Sequence, residues 1–248
     1  MKKLTTILLI LCFYLLAFSA ELEVITSSNR WGSVTDATYV TARDTDLSES
    51  GGTTYMAIGQ RGLGGTFQVM RAFLVFAIPE ASAVSACTLS LDGSSDESDT
   101  EFVLMMFAAP TALPTLEEED YSHFDGRQTA GAHNGTNLIE TYTIGADFQA
   151  GWNVLTLNAD GRAAILAAQG GNIALCIISK EDHDNSSPGA SDDEYVTFDA
   201  LDDVGTEPHL DITYTEPIGY TGTACGISSL VNVCGIAIAN LKNFCGVE

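Results

Sequence analysis

Basic side chains are what this chain has least of: Lys and Arg together number 10, against 33 Asp and Glu, for a formal net charge of −23 over 248 residues. A surface of that sign repels phosphate backbones and anionic bilayers, which excludes nucleic acid as a partner. It suits cation binding, a salty environment or simple solubility. Tryptophan is nearly missing too, with only two, which weighs against a glycan platform built mainly of indoles. The six cysteines show no Cys-x-x-Cys spacing, which removes the usual zinc and dithiol motifs. After residue 20 no apolar run is long enough to span a bilayer.

The one long apolar run stands at the start. Lys2-Lys3, an apolar stretch from Leu4 to Phe18 and the small residues Ala17, Ser19 and Ala20 form a secretory signal, with cleavage expected after Ser19 or Ala20. The mature chain is then soluble and secreted, extracellular or at the cell surface. Without the signal, ten less two leaves eight basic residues against 33 acidic ones, a charge of about −25. About 228 residues remain, enough for one well-buried core. Five cysteines stay: Cys87 and Cys176 in apolar runs, and Cys225, Cys234 and Cys245 near the end. An odd number leaves a thiol free or paired between chains.

The stretch from Gly151 to Ser179 organises the rest. Trp152, Val154, Leu155 and Leu157 make a β-favouring run, with Trp152 expected in the core, and Asn158 offers a capping oxygen. Helix formers continue to Gln169, and Gly170-Gly171 supplies a left-handed exit before the strand Asn172 to Ser179. This predicts one short helix over about 159–169.

Elsewhere the pattern is strand and turn. Glu21 to Val34 reads as a short lead-in strand and turn, Thr38 to Thr41 as β-rich, Arg43 to Gly52 as a polar loop and Thr53 to Ile58 as a strand. Gly59 to Gly65 is a glycine-rich turn that lacks the Lys-Ser/Thr ending of a phosphate loop. Phe67 to Ile78 is the strongest strand, apolar enough to be buried on both faces, with Arg71 near its start. Strands follow over Ala86 to Leu91, Phe102 to Phe107, Leu138 to Ile144, Tyr195 to Phe198 and His209 to Tyr214, with GSSDESD as a turn. The segment from Pro110 to about Asn137 reads as a surface excursion, and Lys180 to Glu194 as an acidic loop. Many short strands with Gly/Pro/Asp turns predict an all-β, antiparallel β-sandwich over residues 21–216. Residues 217–248 form a tail of loose Cys-Gly-Ile/Val repeats, too few to make a solenoid core.

In order, DATYV (Asp36 to Val40), TTYMAIG (Thr53 to Gly59), MRAFLVFAIP (Met70 to Pro79), VSACTLSL (Val84 to Leu91), the Gly151 to Ile178 strand–helix–strand, YVTFDA (Tyr195 to Ala200) and EPHLDITY (Glu207 to Tyr214) resemble the DNRLRE-type domain. That family is a secreted jelly-roll β-sandwich, similar in shape to carbohydrate-binding modules. The resemblance covers roughly residues 36–214 and omits the tail. Where family members often carry a tryptophan-rich stretch, this chain has EEEDYSHFDGRQTAG. The resemblance implies an extracellular module that accompanies polysaccharide-degrading enzymes or surface proteins.

Candidate sites follow from side-chain chemistry. A sugar site needs exposed aromatics and planar polar groups, and Trp31, Tyr55, Tyr121, Phe124, Arg127 and Tyr142 are the candidates. A structural calcium needs several loop oxygens, which Asp182, Asp184, Asp192 and Asp193, or Asp44 and Asp46, could supply. Catalysis could be built from His123 with Asp125 or Glu119 as acid and base, with no nucleophile motif beside them. The leading expectation is a non-catalytic binding or adhesion module recognising polysaccharide or a cell-surface glycan. A structural subunit that self-associates through tail cysteines Cys225, Cys234 and Cys245 comes second, and a polysaccharide-active enzyme third.

Overall fold

The computed structural model describes residues 19–25, 28–45, 49–50, 55–110, 118–199, 205–216, 232–233 and 236–237. Residues 1–18 of the expected signal segment, Asp46 and the three tail cysteines lie outside the described residues, while Ser19 and Ala20 open β1. The fold is mostly β: one antiparallel sheet of twelve strands, the two-residue β3 included, strongly curled into a half-barrel. Its strands are β1 (Ser19–Ile25), β2 (Ser28–Asp36), β3 (Glu49–Ser50), β4 (Tyr55–Gly62), β5 (Phe67–Ala77), β6 (Ala83–Asp96), β7 (Phe102–Ala109), β8 (Tyr142–Ile144), β9 (Gly151–Thr156), β10 (Asn172–Ser179), β11 (Asp193–Asp199) and β12 (His209–Thr215). Helices α1 (Tyr39–Asp44), α2 (Ala159–Ala167) and α3 (Lys180–Asp184) join them, with a 3₁₀ turn over Glu118–Ser122. Among the described residues no helix is long and apolar enough to cross a membrane.

The order runs β1-β12-β6-β11-β4-β5-β10-β7-β8, with β2 on the far edge of β5 and β9 on that of β6. Two strands hand over between neighbours along a single edge. One edge of β5 pairs with β4 through Phe67–Met70 and then with β10 through Ala72–Ala77. One edge of β6 pairs with β12 through Ala83–Ser90 and then with β11 from Gly93 to Asp96. A strand that changes neighbour part-way along its length must serve two sheet directions, and the sheet curls there.

The main core fills the inside of the curl. Strand β5 shows the alternation: Ala72, Leu74 and Phe76 enter this core, while Val69, Phe73 and Val75 enter a second cluster on the opposite face. Burial on both faces, expected from the apolar run, is what the structure shows. The second cluster is roofed by α1, the 3₁₀ turn and the loop that follows it, through Tyr39, Ala42, Tyr121 and Phe124.

Helix α2 forms as its caps predict: Asn158 accepts from the Gly161 N–H at 2.9 Å, and Gly170 exits at φ 67°. The other two helices correct the sequence reading. Thr38 to Thr41 is no strand; Thr38 caps α1 by accepting from the Thr41 N–H, and Tyr39, Ala42 and Arg43 occupy its buried side. Ser179 likewise caps α3, so the acidic loop begins as a helix. The lead-in is two strands, β1 and β2, rather than one. Strand β4 runs on through Gly62 and β6 through Asp96, into segments expected to turn. Of Leu138 to Ile144 only Tyr142–Ile144 is strand, with an isolated bridge from Ile139 to Leu157. Trp152 is 37 % exposed, not in the core, because Asn153 and Leu155 take the inward positions of β9.

Candidate functional site

Strand register assembles a cleft. Across β4 and β11, Tyr55 faces Asp199, Ala57 faces Thr197 and Gly59 faces Tyr195. Period-two alternation therefore sets Tyr55, Ala57, Tyr195, Thr197 and Asp199 on one face. Arg61 is the register partner of Gln68 on β5, and Thr197 of Ser95 on β6. Trp31 arrives from β2, its ring 5.4 Å from that of Tyr55 and tilted by 33°. These residues line a cleft of about 330 Å³.

Its polar groups are held in place. The Arg61 guanidinium lies 5.3 Å from the Tyr195 ring centroid and donates through Nε to Gln68 Oε1 at 2.7 Å. Gln68 Nε2 donates in turn to Ser33 Oγ at 2.9 Å. The Ser95 and Thr197 hydroxyls lie 2.8 Å apart. Tyr55 is 44 % exposed. The Trp31 indole N–H is shielded and has no hydrogen-bond partner among the described residues. Glu97 and Asp199 complete the lining. Asp92, next on β6, has its carboxyl raised by burial and by the charge of Asp199. The arrangement offers flat apolar faces, hydroxyls, an amide and a guanidinium, under a field unfavourable to anions.

Of the six aromatic and arginine candidates, Trp31 and Tyr55 meet here. Tyr121, Phe124 and Arg127 gather instead around a buried ion cluster beneath the second apolar roof. Tyr121 is fully buried, donates to Val69 O at 2.9 Å, and its ring centroid lies 4.4 Å from the Arg71 guanidinium; Phe124 stands 5.2 Å from the same group. Arg127 donates to Asp44 O at 3.0 Å and Oδ1 at 3.3 Å. Tyr142 is buried in the main core and donates to Asn153 Oδ1 at 2.6 Å. His123 and Asp125 line a second hollow, of about 590 Å³, with Phe124 and Arg127.

At the centre of the ion cluster Asp182 takes hydrogen bonds from Arg71 Nε at 2.6 Å, Arg71 Nη2 at 2.9 Å and Arg43 Nε at 3.1 Å. Burial opposes its ionisation, yet the Arg71 charge and the hydrogen bonds of His133 and Arg71 hold its carboxyl well below the usual range. His133 accepts through Nδ1 from the Gln128 N–H at 3.0 Å, and its Nε2 lies 2.9 Å from Arg43 Nη2. A second ring proton would face a donor or a cation, in keeping with a pKa lowered by burial against the opposing pull of Asp182. Arg43 and His133 were unremarkable in the sequence; the one signal was Arg71 inside an apolar strand.

The four loop aspartates do not converge. Asp182 is 1 % exposed, with both oxygens held by guanidinium groups. Asp184 pairs with Lys180 and lies 2.7 Å from His183 Nδ1. Asp192 Oδ2 accepts from the Gly189 N–H at 3.1 Å, and the Asp193 N–H donates to Asp99 at 3.0 Å. Among the described residues none of the four belongs to a group of three or more acidic, imidazole or thiol side chains near enough to share an ion. No protein-family model matches the chain, and no curated protein is significantly similar to it.

Proposed function

We propose that the chain is a secreted, non-catalytic binding module, a jelly-roll sandwich of the DNRLRE kind, and that its Trp31–Tyr55 cleft takes carbohydrate. The observation that carries this reading is the pairing of two aromatic rings with a fixed amide, a guanidinium and hydroxyls in one cleft of about 330 Å³. Sugars present both kinds of surface at once: apolar C–H faces that lie on aromatic rings and hydroxyls that pair with planar polar groups. The carboxylates of Asp92, Glu97 and Asp199 favour a neutral glycan over an acidic one. Screening the mature chain on a glycan array, followed by calorimetry on the hits, tests the proposal. Trp31→Ala and Tyr55→Ala should each weaken a hit about tenfold or more, while Tyr142→Phe leaves it unchanged. Equal affinity in all three variants would move the site elsewhere.

A structural role is the second reading. In the tail, Asn232–Val233 and Ile236–Ala237 pair as two short antiparallel strands, which favours a segment able to add to a neighbour's sheet. The solution mass of the chain with and without Thr221 to Glu248, oxidised and reduced, separates the two: assembly lost on truncation would put the structural role first.

A further inference from the structure

We propose that Glu23, His209 and Asp211 form a binding site for a divalent transition-metal ion, with zinc as the reference ion. Glu23 on β1 is the direct register partner of Asp211 on β12, and His209 lies two residues earlier on the same strand. Alternation then places all three on one face. One ligand atom from each lies within 4.8 Å of the others, and His209 Nε2 is 3.7 Å from Asp211 Oδ2.

Three further observations point to a cation between them. Two carboxylates directly opposed across a strand pair repel one another, and among the described residues neither has a Lys or Arg partner. His209 Nδ1 is 3.2 Å from the Glu207 carbonyl oxygen, a bond in which the ring N–H must be the donor. In the neutral ring that bond puts the proton on Nδ1 and leaves the Nε2 lone pair on the side of the carboxylates. It is the tautomer of a metal-bound imidazole steadied by a carbonyl behind it. Finally, the exposed Trp152 sets its ring at 69° to the imidazole, centroids 4.7 Å apart, beside a cavity of about 670 Å³ that Glu23 and His209 also line. That space leaves room for water in the remaining coordination positions. One imidazole with two carboxylates suits zinc, nickel or copper better than calcium, which takes oxygen alone.

The test is zinc calorimetry on the full chain, stripped of metal and made without a histidine tag. One zinc per chain should bind saturably. His209→Ala and Asp211→Asn should each weaken it at least about tenfold, and Glu97→Gln, in the sugar cleft, should leave it unchanged. Should either of the first two disturb the far-ultraviolet spectrum, the exposed Glu23→Gln replaces it. Nickel should quench tryptophan emission in step with zinc-competitive binding, and Trp152→Phe should remove the quench. Absence of saturable binding at millimolar zinc overturns the proposal. So does binding that His209→Ala, Asp211→Asn and Glu97→Gln reduce alike, the mark of ions held diffusely by an acidic surface.

Discussion

Changing Asp182 to Asn alters one atom type at the point where three segments of chain meet. Asp182 lies in the first turn of α3, Arg71 sits mid-strand in β5, and Arg43 belongs to α1. Arg71 spends its other donors on Tyr121 O and Arg43 O, both at 3.0 Å, so among the described residues it has no second carboxylate to turn to, while Arg43 keeps only Asp44, 3.5 Å from its Nη1. Asparagine removes the charge and turns one acceptor oxygen into a donor facing guanidinium donors. Two cations are then left in a site where both side chains are 0 % exposed. Removing one partner of a buried pair costs about 3–5 kcal/mol. In a domain of this size that is a fall in Tm of roughly 6–20 °C. Urea unfolding followed by circular dichroism gives the difference directly, with Asp192→Asn as the exposed comparison, expected within about 0.5 kcal/mol. A loss under about 1 kcal/mol for Asp182→Asn would refute the claim that the guanidinium groups depend on this carboxylate.

Acid should destabilise the fold in two stages. The lowered pKa of His133 means that the unfolded ring takes up a proton near pH 6.5 while the folded ring stays neutral, so stability falls as pH drops through that value. The lowered pKa of Asp182 works in the same sense below about pH 4, and Glu181, raised by burial, partly opposes it. Urea midpoints across this range should show the first decline vanish in His133→Gln; an unchanged profile would sink the assignment. Gly59→Ala should cost at least about 2 kcal/mol, because φ is 132° there and a methyl group would strike the Glu194 carbonyl. An unchanged urea midpoint for that variant would count against the close approach of β4 and β11.

What could be read from the chain alone was whatever rests on apolar pattern and local capping. The double burial of β5, the Asn158 cap and the Gly170 exit are local signals with no strong competitor. Helix α1 escaped because its residues favour strand, and its buried positions Tyr39, Ala42 and Arg43 include a charge that reads as solvent-facing. The partner that makes Arg43 buriable is 139 residues away, beyond any window. Trp152 failed for the opposite reason. Asn153 is inward because its amide donates to Gly151 O at 2.6 Å and Gln149 O at 2.8 Å, and its oxygen accepts from Tyr142, so a polar residue takes the core position and the indole turns out. Trp31 and Tyr55 could be named as exposed aromatics, but not as neighbours, since their contact depends on β2 and β4 flanking β5 from opposite edges.

The ion cluster and the cleft are linked through the strands that carry both. Gln60 lies between Gly59 and Arg61, and its side-chain oxygen Oε1 accepts from the Tyr39 hydroxyl at 2.6 Å, beneath the α1 roof. Its amide nitrogen donates to Glu194 at 2.9 Å and to Ser186 O at 3.0 Å. Glu194 adjoins Tyr195, and its other oxygen accepts from Thr100 at 3.1 Å. Alternation thus gives β4 and β11 a cleft residue and a tethered residue in succession, so the rings and guanidinium stand on backbone held from behind. A site built this way gives up little conformational entropy when a ligand arrives, the condition under which a shallow cleft can bind usefully. The roof over the second apolar cluster reaches the same strands through the Tyr39–Gln60 bond, and under the proposed binding role it would hold the backbone behind the cleft in place.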